Sequence, residues 1–166
     1  PYTTLFRSCR VVPLLGEFAR LYPHILIDFN LTDVVVDVAA GQADVAIRFG
    51  PLADSPLTAR RLGETGRTIV ASPDYLARRG APQVPEDLHD HDCLNFNFRR
   101  AEPVWPFRRD GRDYALTVRG PIEANNGETL TQLALAGVGV TRVGNFSVAD
   151  AIETWRLVPL LEAFNP

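Results

Sequence analysis

The sequence contains no methionine and no lysine, and only two cysteines, two tryptophans and three histidines in 166 residues. It has no run of about eighteen apolar residues and no basic segment leading into an apolar one, so nothing in it reads as a membrane span or a secretory leader. All 17 basic residues are arginine, they are outnumbered by 20 acidic ones, and the net charge is -3 with a pI near 5.6. A surface built to grip phosphates shows a basic stripe and a high pI, so these residues are not expected to hold DNA themselves. Cys9 and Cys93 have no CxxC neighbour, which favours free thiols in a reducing compartment over a disulfide scaffold. A chain without an initiator methionine reads as an internal piece of a longer protein. There is no GxSxG elbow, HExxH pair or Walker loop, and no carboxylate pair stands apart from the solvated charges.

What is present is an ordinary globular composition, 46% hydrophobic and 22% charged, long enough for a sizeable core or two small ones. From Arg10 to Leu21 the apolar residues Val11, Leu14, Leu15, Phe18 and Leu21 share one helical face, and Tyr22-Pro23 stops the helix. ILIDFNL alternates as a strand with Ile25, Ile27, Phe29 and Leu31 on one side. Thr32-Asp33 can cap a helix, VVVDVAAG, closing at Gly41, and ADVAIRFG reads as a second strand. Helix, strand, helix, strand with short connections predicts a parallel, helix-covered sheet. RTIVAS is a third strand. Ser72 as N-cap, Pro73 at the first helical position and Asp74 in the first turn then start a helix that closes at Gly80. CLNFNF, VWPF and DYALTVRG are strand candidates, the last two joined as a hairpin at Asp110-Gly111. Asn125-Asn126-Gly127 opens the helix ETLTQLALA, and VGVTRV, a helix from Ser147 to Thr154 and the strand RLVPLL follow. The elements form two α/β clusters, 9–69 and 70–144.

GVGV at 137–140 resembles part of a dinucleotide fingerprint, but Arg142 stands where the third glycine belongs and the glycines end a helix. His89 and His91 in HDHDC could suggest a metal; with His24 the only other histidine, a polar turn leading into a strand explains them better. Polar residues gather instead where strands end, the place open α/β sheets put ligands: Thr32, Arg48, Ser72 and Asn125-Asn126. Helix N-termini at Ser72 and Asn126 suit a carboxylate, with Arg48 as a fork donor.

The stretches LLGEFARLYPHILIDF, ADVAIRFGPLADSPLTARRL, ASPDYLARRGAPQVPEDLHDHDCLNF, GPIEANNGETLTQLALAGVGV and RLVPLLEAF resemble, in order and spacing, the effector-binding domain of LysR-type transcriptional regulators. The likeness runs from Arg10 to Pro166. It implies two Rossmann-like subdomains with a small-molecule cleft between them, as in type II periplasmic binding proteins. The expected division is 9–69 plus 145–166 as subdomain I and 70–144 as subdomain II, with crossovers near Arg67–Ser72 and Val140–Gly144. The pocket candidates are Thr32, Arg48, Phe49, Ser72, Asn125, Asn126 and Thr141, with no catalytic residue, metal or cofactor. The resemblance also implies a bacterial cytoplasmic protein, a homodimer or tetramer pairing through Val11–Leu21 and Ile25–Leu31, and DNA bound only through a winged helix-turn-helix outside this chain.

In the family a central strand precedes the first helix. PYTTLFRS, residues 1–8, lacks that pattern and resembles a translated sequencing adapter, so it is set aside as non-native. Family members also continue beyond a segment like LVPLLEAFNP into a further strand and helix. Two departures are Trp155, where a glycine usually follows the helix, and Arg142-Val143 in place of Leu-Pro. The competing readings are a stand-alone solute-binding protein of the same fold, which a signal peptide would support, and an enzyme, which turnover of a small carboxylate would support.

Overall fold

The computed structural model describes residues 11–30, 38, 40–48, 55–97 and 103–166. The expected cap at Thr32-Asp33, most of the helix VVVDVAAG, Phe49 and the opening segment 1–8 lie outside the described residues. The chain divides into two compact units, 1–64 and 65–166.

In the first unit the expected helix forms as α1, Val12–Leu21, with proline in its first turn and the Tyr22 N–H donating to the Phe18 carbonyl at 2.9 Å. Pro23 cannot continue that ladder. None of the side chains of α1 is buried, and Leu14 and Leu21 are more than half exposed. Gly41 adopts the positive φ of 74° expected of a helix-closing glycine. The two strands expected at 25–31 and 43–50 are not formed over their described residues, 25–30 and 43–48, and Leu26 is 94% exposed. Alternation prepares a segment to pair, but a strand exists only where its backbone is paired in a ladder with another strand.

The second unit is built on a five-stranded mixed sheet. Its elements are β1 (Arg67–Ala71), α2 (Pro73–Arg79), a 3-10 helix (Pro85–Asp90), β2 (Cys93–Phe96), the hairpin strands β3 (Val104–Arg109) and β4 (Arg112–Thr117), β5 (Glu123–Ala124), α3 (Gly127–Leu135), β6 (Val140–Gly144), α4 (Asn145–Glu153), β7 (Val158–Leu160) and a closing 3-10 helix (Glu162–Phe164). The strand order is β5-β2-β6-β1-β7, with β3-β4 as a separate ribbon. β2 runs parallel to both β5 and β6, whereas β1 is antiparallel to β6 and to β7. The segments expected as crossovers near 67–72 and 140–144 contain β1 and β6, which pair antiparallel with each other.

The two faces of the sheet carry separate cores. On one, Ile69, Ala71, Cys93, Val140 and Leu160 pack under Tyr75 of α2, Leu88 of the 3-10 helix and Trp105 and Phe107 of the ribbon. On the other, Val70, Leu94 and Val143 pack under Leu130 and Ala134 of α3 and Val148 and Ala151 of α4. The ribbon alternates in and out, and its Asp110-Gly111 turn has φ of 50° and 73°, the pair of positive values that a two-residue hairpin turn needs. The last segment, 145–166, packs on the sheet of this unit. α4 and β7 bury Val148, Ala151, Leu157 and Leu160 against β1 and β6, which ties that segment to 65–144.

Candidate functional site

Three neighbouring parallel strands, β5, β2 and β6, finish at the same end of the sheet, and each is followed at once by asparagine: Asn125-Asn126 after β5, Asn97 after β2 and Asn145 after β6. Asn97, Asn125 and Asn145 are exposed. The backbone locks them in place: the Asn97 N–H donates to the Ala124 carbonyl at 3.0 Å, and the Asn145 N–H to the Gly66 carbonyl at 3.1 Å. α3 and α4 both begin here, capped by Asn126 and Gly144. At this end of the sheet the Asn165 Nδ2 also donates to the Arg67 carbonyl at 2.7 Å. The result is a row of amides, each offering donors and an acceptor, beside two nine-residue helices whose N–H ends carry partial positive charge.

The candidates named from sequence fall unevenly around this row. Asn125 and Asn126 belong to it. Asn126 Oδ1 accepts from the Thr129 N–H at 2.8 Å as N-cap, while its Nδ2 donates to Asn125 Oδ1 at 3.0 Å. Ser72 ends β1, but β1 is antiparallel to β6 and so finishes at the opposite end of the sheet from Asn125. There Ser72 is 3% exposed, and its Oγ accepts from the Tyr75 N–H at 3.3 Å as N-cap of α2. Thr141 is fully buried opposite Val70, and its hydroxyl donates to the Leu94 carbonyl at 3.1 Å. Arg48 is an exposed residue of the first unit. Thr32 and Phe49 lie outside the described residues. Asn97 and Asn145 were not among the candidates. The signal for them was present in CLNFN and RVGN, strands ending in Asn as EANN does.

The rest of the unit's chemistry is structural. Burial pushes the Cys93 thiol up to about 12, so it stays protonated, with Sγ 3.6 Å from the Leu88 carbonyl it faces. Asn95 is 2% exposed and accepts from the Trp105 indole N–H at 3.0 Å. Among the described residues no group of three or more His, Cys, Asp or Glu side chains could hold a metal. No helix among them is long and apolar enough to cross a membrane.

Residues 2–166 match the family described as the LysR substrate binding domain. The HTH-type transcriptional regulator CrgA of Neisseria meningitidis is 34% identical over 152 residues, which is 91% of this chain and 50% of that protein. DmlR of Escherichia coli, also an HTH-type transcriptional regulator, is 33% identical over 159 residues, 94% of this chain and 52% of that one. The solved structure of CrgA superposes with a TM-score of 0.86 at 31% identity, covering 97% of this chain and 54% of that chain. The CrgA regulatory domain alone gives the same TM-score, 0.86, with 78% of it covered. The chain thus spans about half the length of the curated relatives it matches.

Proposed function

The chain belongs to the LysR substrate-binding domain family, with a fold of the type II periplasmic-binding kind, and from that membership we propose that it is the effector-sensing part of a bacterial transcription regulator. A small molecule binds in the cleft that the family resemblance implies, and the protein responds by a population shift that a DNA-binding segment outside this chain reads out. The observation that carries this reading is the row Asn97, Asn125, Asn126 and Asn145 beside the N-termini of α3 and α4. Amide groups supply both donors and acceptors, and two helix N-termini favour an anionic group, so the effector is a small carboxylate with further polar atoms. From the resemblance, Thr32, Arg48 and Phe49 are further effector contacts. The intact protein works in the cytoplasm without catalysing a reaction, as a homodimer or tetramer. The apolar side chains of α1, none of them buried within this chain, supply the pairing surface together with 25–31.

The test is calorimetric titration of the chain with a panel of small mono- and dicarboxylates. Replacing Asn97 and Asn125 by alanine is expected to weaken the best binder about tenfold or more, since removing one hydrogen-bond partner of a charged group costs ~1.5–3 kcal/mol. Ser72→Ala, at the other end of the sheet, leaves affinity unchanged. Undiminished binding to the doubly substituted chain would remove the assignment.

A further inference from the structure

At the end of the sheet opposite the asparagine row, three polar groups meet inside the core. Tyr75, on the first turn of α2, is 1% exposed, and His91, in the turn ahead of β2, is 8% exposed. The Tyr75 Oη accepts from the Asp92 N–H at 2.9 Å and lies 3.1 Å from His91 Nδ1, with the two rings 5.7 Å apart. The hydroxyl has one proton; given to Nδ1, it leaves His91 neutral with its own hydrogen on Nε2.

The contact reaches well beyond the pair. Tyr75 is joined through its N–H to Ser72 Oγ, the cap of α2. The Asp92 carbonyl accepts from the Val140 N–H at 2.9 Å, which is where β6 begins. β2 and β6 run from this point to Asn97 and Asn145 at the other end. A single buried hydroxyl therefore ties α2 to the turn that launches two of the strands ending in the amide row.

We propose that the Tyr75–His91 pair is an acid-sensitive latch that holds α2 against the start of β2 and β6 while His91 is neutral and releases that turn when His91 takes a proton. A proton on Nδ1 turns two donors toward each other, and Tyr75, only 1% exposed, would have to rotate its hydrogen away from the imidazole inside the core. The charged groups facing the imidazole are Arg79 from α2, Asp87 and Asp90 from the 3-10 helix, and Asp92 from the turn itself. Burial, followed by Arg79, lowers the pKa of His91 below its ordinary 6.5, and the three carboxylates oppose this without reversing it. With the folded pKa below the unfolded one, the latch contributes its full stability above pH 6.5 and loses it as the pH falls from there through the folded pKa.

The experiment is amide hydrogen exchange on the 166-residue chain, at about pH 7.5 and about pH 5, corrected for the intrinsic exchange rate. Protection of the Asp92 and Val140 amides is expected to fall severalfold on acidification, while Val70 and Val143 on the other face hold theirs. His91→Asn puts a non-titrating oxygen near the position of Nδ1, and in that variant the acid-dependent loss disappears. An equal loss in His91→Asn, or none in the parent chain, overturns the proposal. Should the variant not fold, ring nitrogen shifts of the parent chain decide. An Nδ1-protonated neutral tautomer, or a midpoint at or above 6.5, refutes the latch, and an Nε2 tautomer whose titration tracks the loss of protection supports it.

Discussion

Replacing Gly139 by alanine tests whether the start of β2 and β6 is held by close backbone contact. An added Cβ would lie 2.1 Å from the Asp92 carbonyl oxygen and 3.1 Å from Leu94 Cγ. The first obstacle is backbone and cannot swing away, so the carbonyl must retreat by about 1 Å to reach a tolerable separation. That retreat breaks the 2.9 Å hydrogen bond it accepts from the Val140 N–H. The lost bond and the buried groups left unpaired cost ~1–3 kcal/mol, and overpacking adds ~1–3 kcal/mol. Alanine returns ~0.4–1 kcal/mol by restricting the unfolded chain, leaving a net loss of about 1–5.5 kcal/mol. Urea unfolding followed by fluorescence reads this directly, because Trp105 is 6% exposed and reports on the same core. With a slope of ~1–1.5 kcal/mol per molar urea, the midpoint should drop by at least about 0.7 M. Gly80→Ala is the comparison: no atom lies within 4 Å of its added Cβ, but φ is +79° and ψ 167°, a region essentially reserved for glycine, so it carries backbone strain of ~1–3 kcal/mol without a clash. A midpoint shift under about 0.3 M for Gly139→Ala, or a larger loss for Gly80→Ala, would refute the argument from contact.

Other perturbations probe single interactions. Asn126→Ala removes the acceptor for the Thr129 N–H and should cost about 1 kcal/mol in the same unfolding assay. Trp105→Phe keeps the ring in the ribbon but leaves Asn95 Oδ1 without its donor, so a loss of ~1–3 kcal/mol is expected, and Asn95→Ala on top of it should add little. Cys93, with its thiol pushed up to about 12 and no exposed surface, should resist alkylation at about pH 8 until denaturant is added, as mass mapping of the modified peptide would show. The Asp87 carboxylate accepts from the Gln83 and Val84 N–H groups, which hold its pKa below the ordinary 3.8. Its stabilisation is present above that value and is lost as the pH falls through the folded pKa, so Asp87→Asn should flatten the acid limb of the stability profile.

The elements legible in the sequence are those whose signal is local. Ser72-Pro73-Asp74 with Gly80 bounded α2 to the residue, because cap, fixed φ and left-handed closure are properties of the residues themselves. The Asp110-Gly111 turn and the Asn126 cap were recovered for the same reason. Strand orientation is different, because it is decided by which strands meet far apart in sequence. The sequence reading grouped Ser72, after RTIVAS, with Asn125 as polar residues at strand ends, and the antiparallel pairing of β1 with β6 puts the two at opposite ends of the sheet. The same ambiguity hid Asn97 and Asn145. An asparagine after a strand is equally a turn residue or a ligand contact until the strand's direction is known. Once β2, β5 and β6 are seen to run together, three such asparagines become one surface, and the two ends of β6 acquire separate roles: Val140 is tied into the core through Asp92, and Asn145 faces out beside Gly66. Five strand residues join these ends, Val140–Gly144. Along it β6 pairs with β2 at Val140 and Thr141 and with β1 from Thr141 to Gly144.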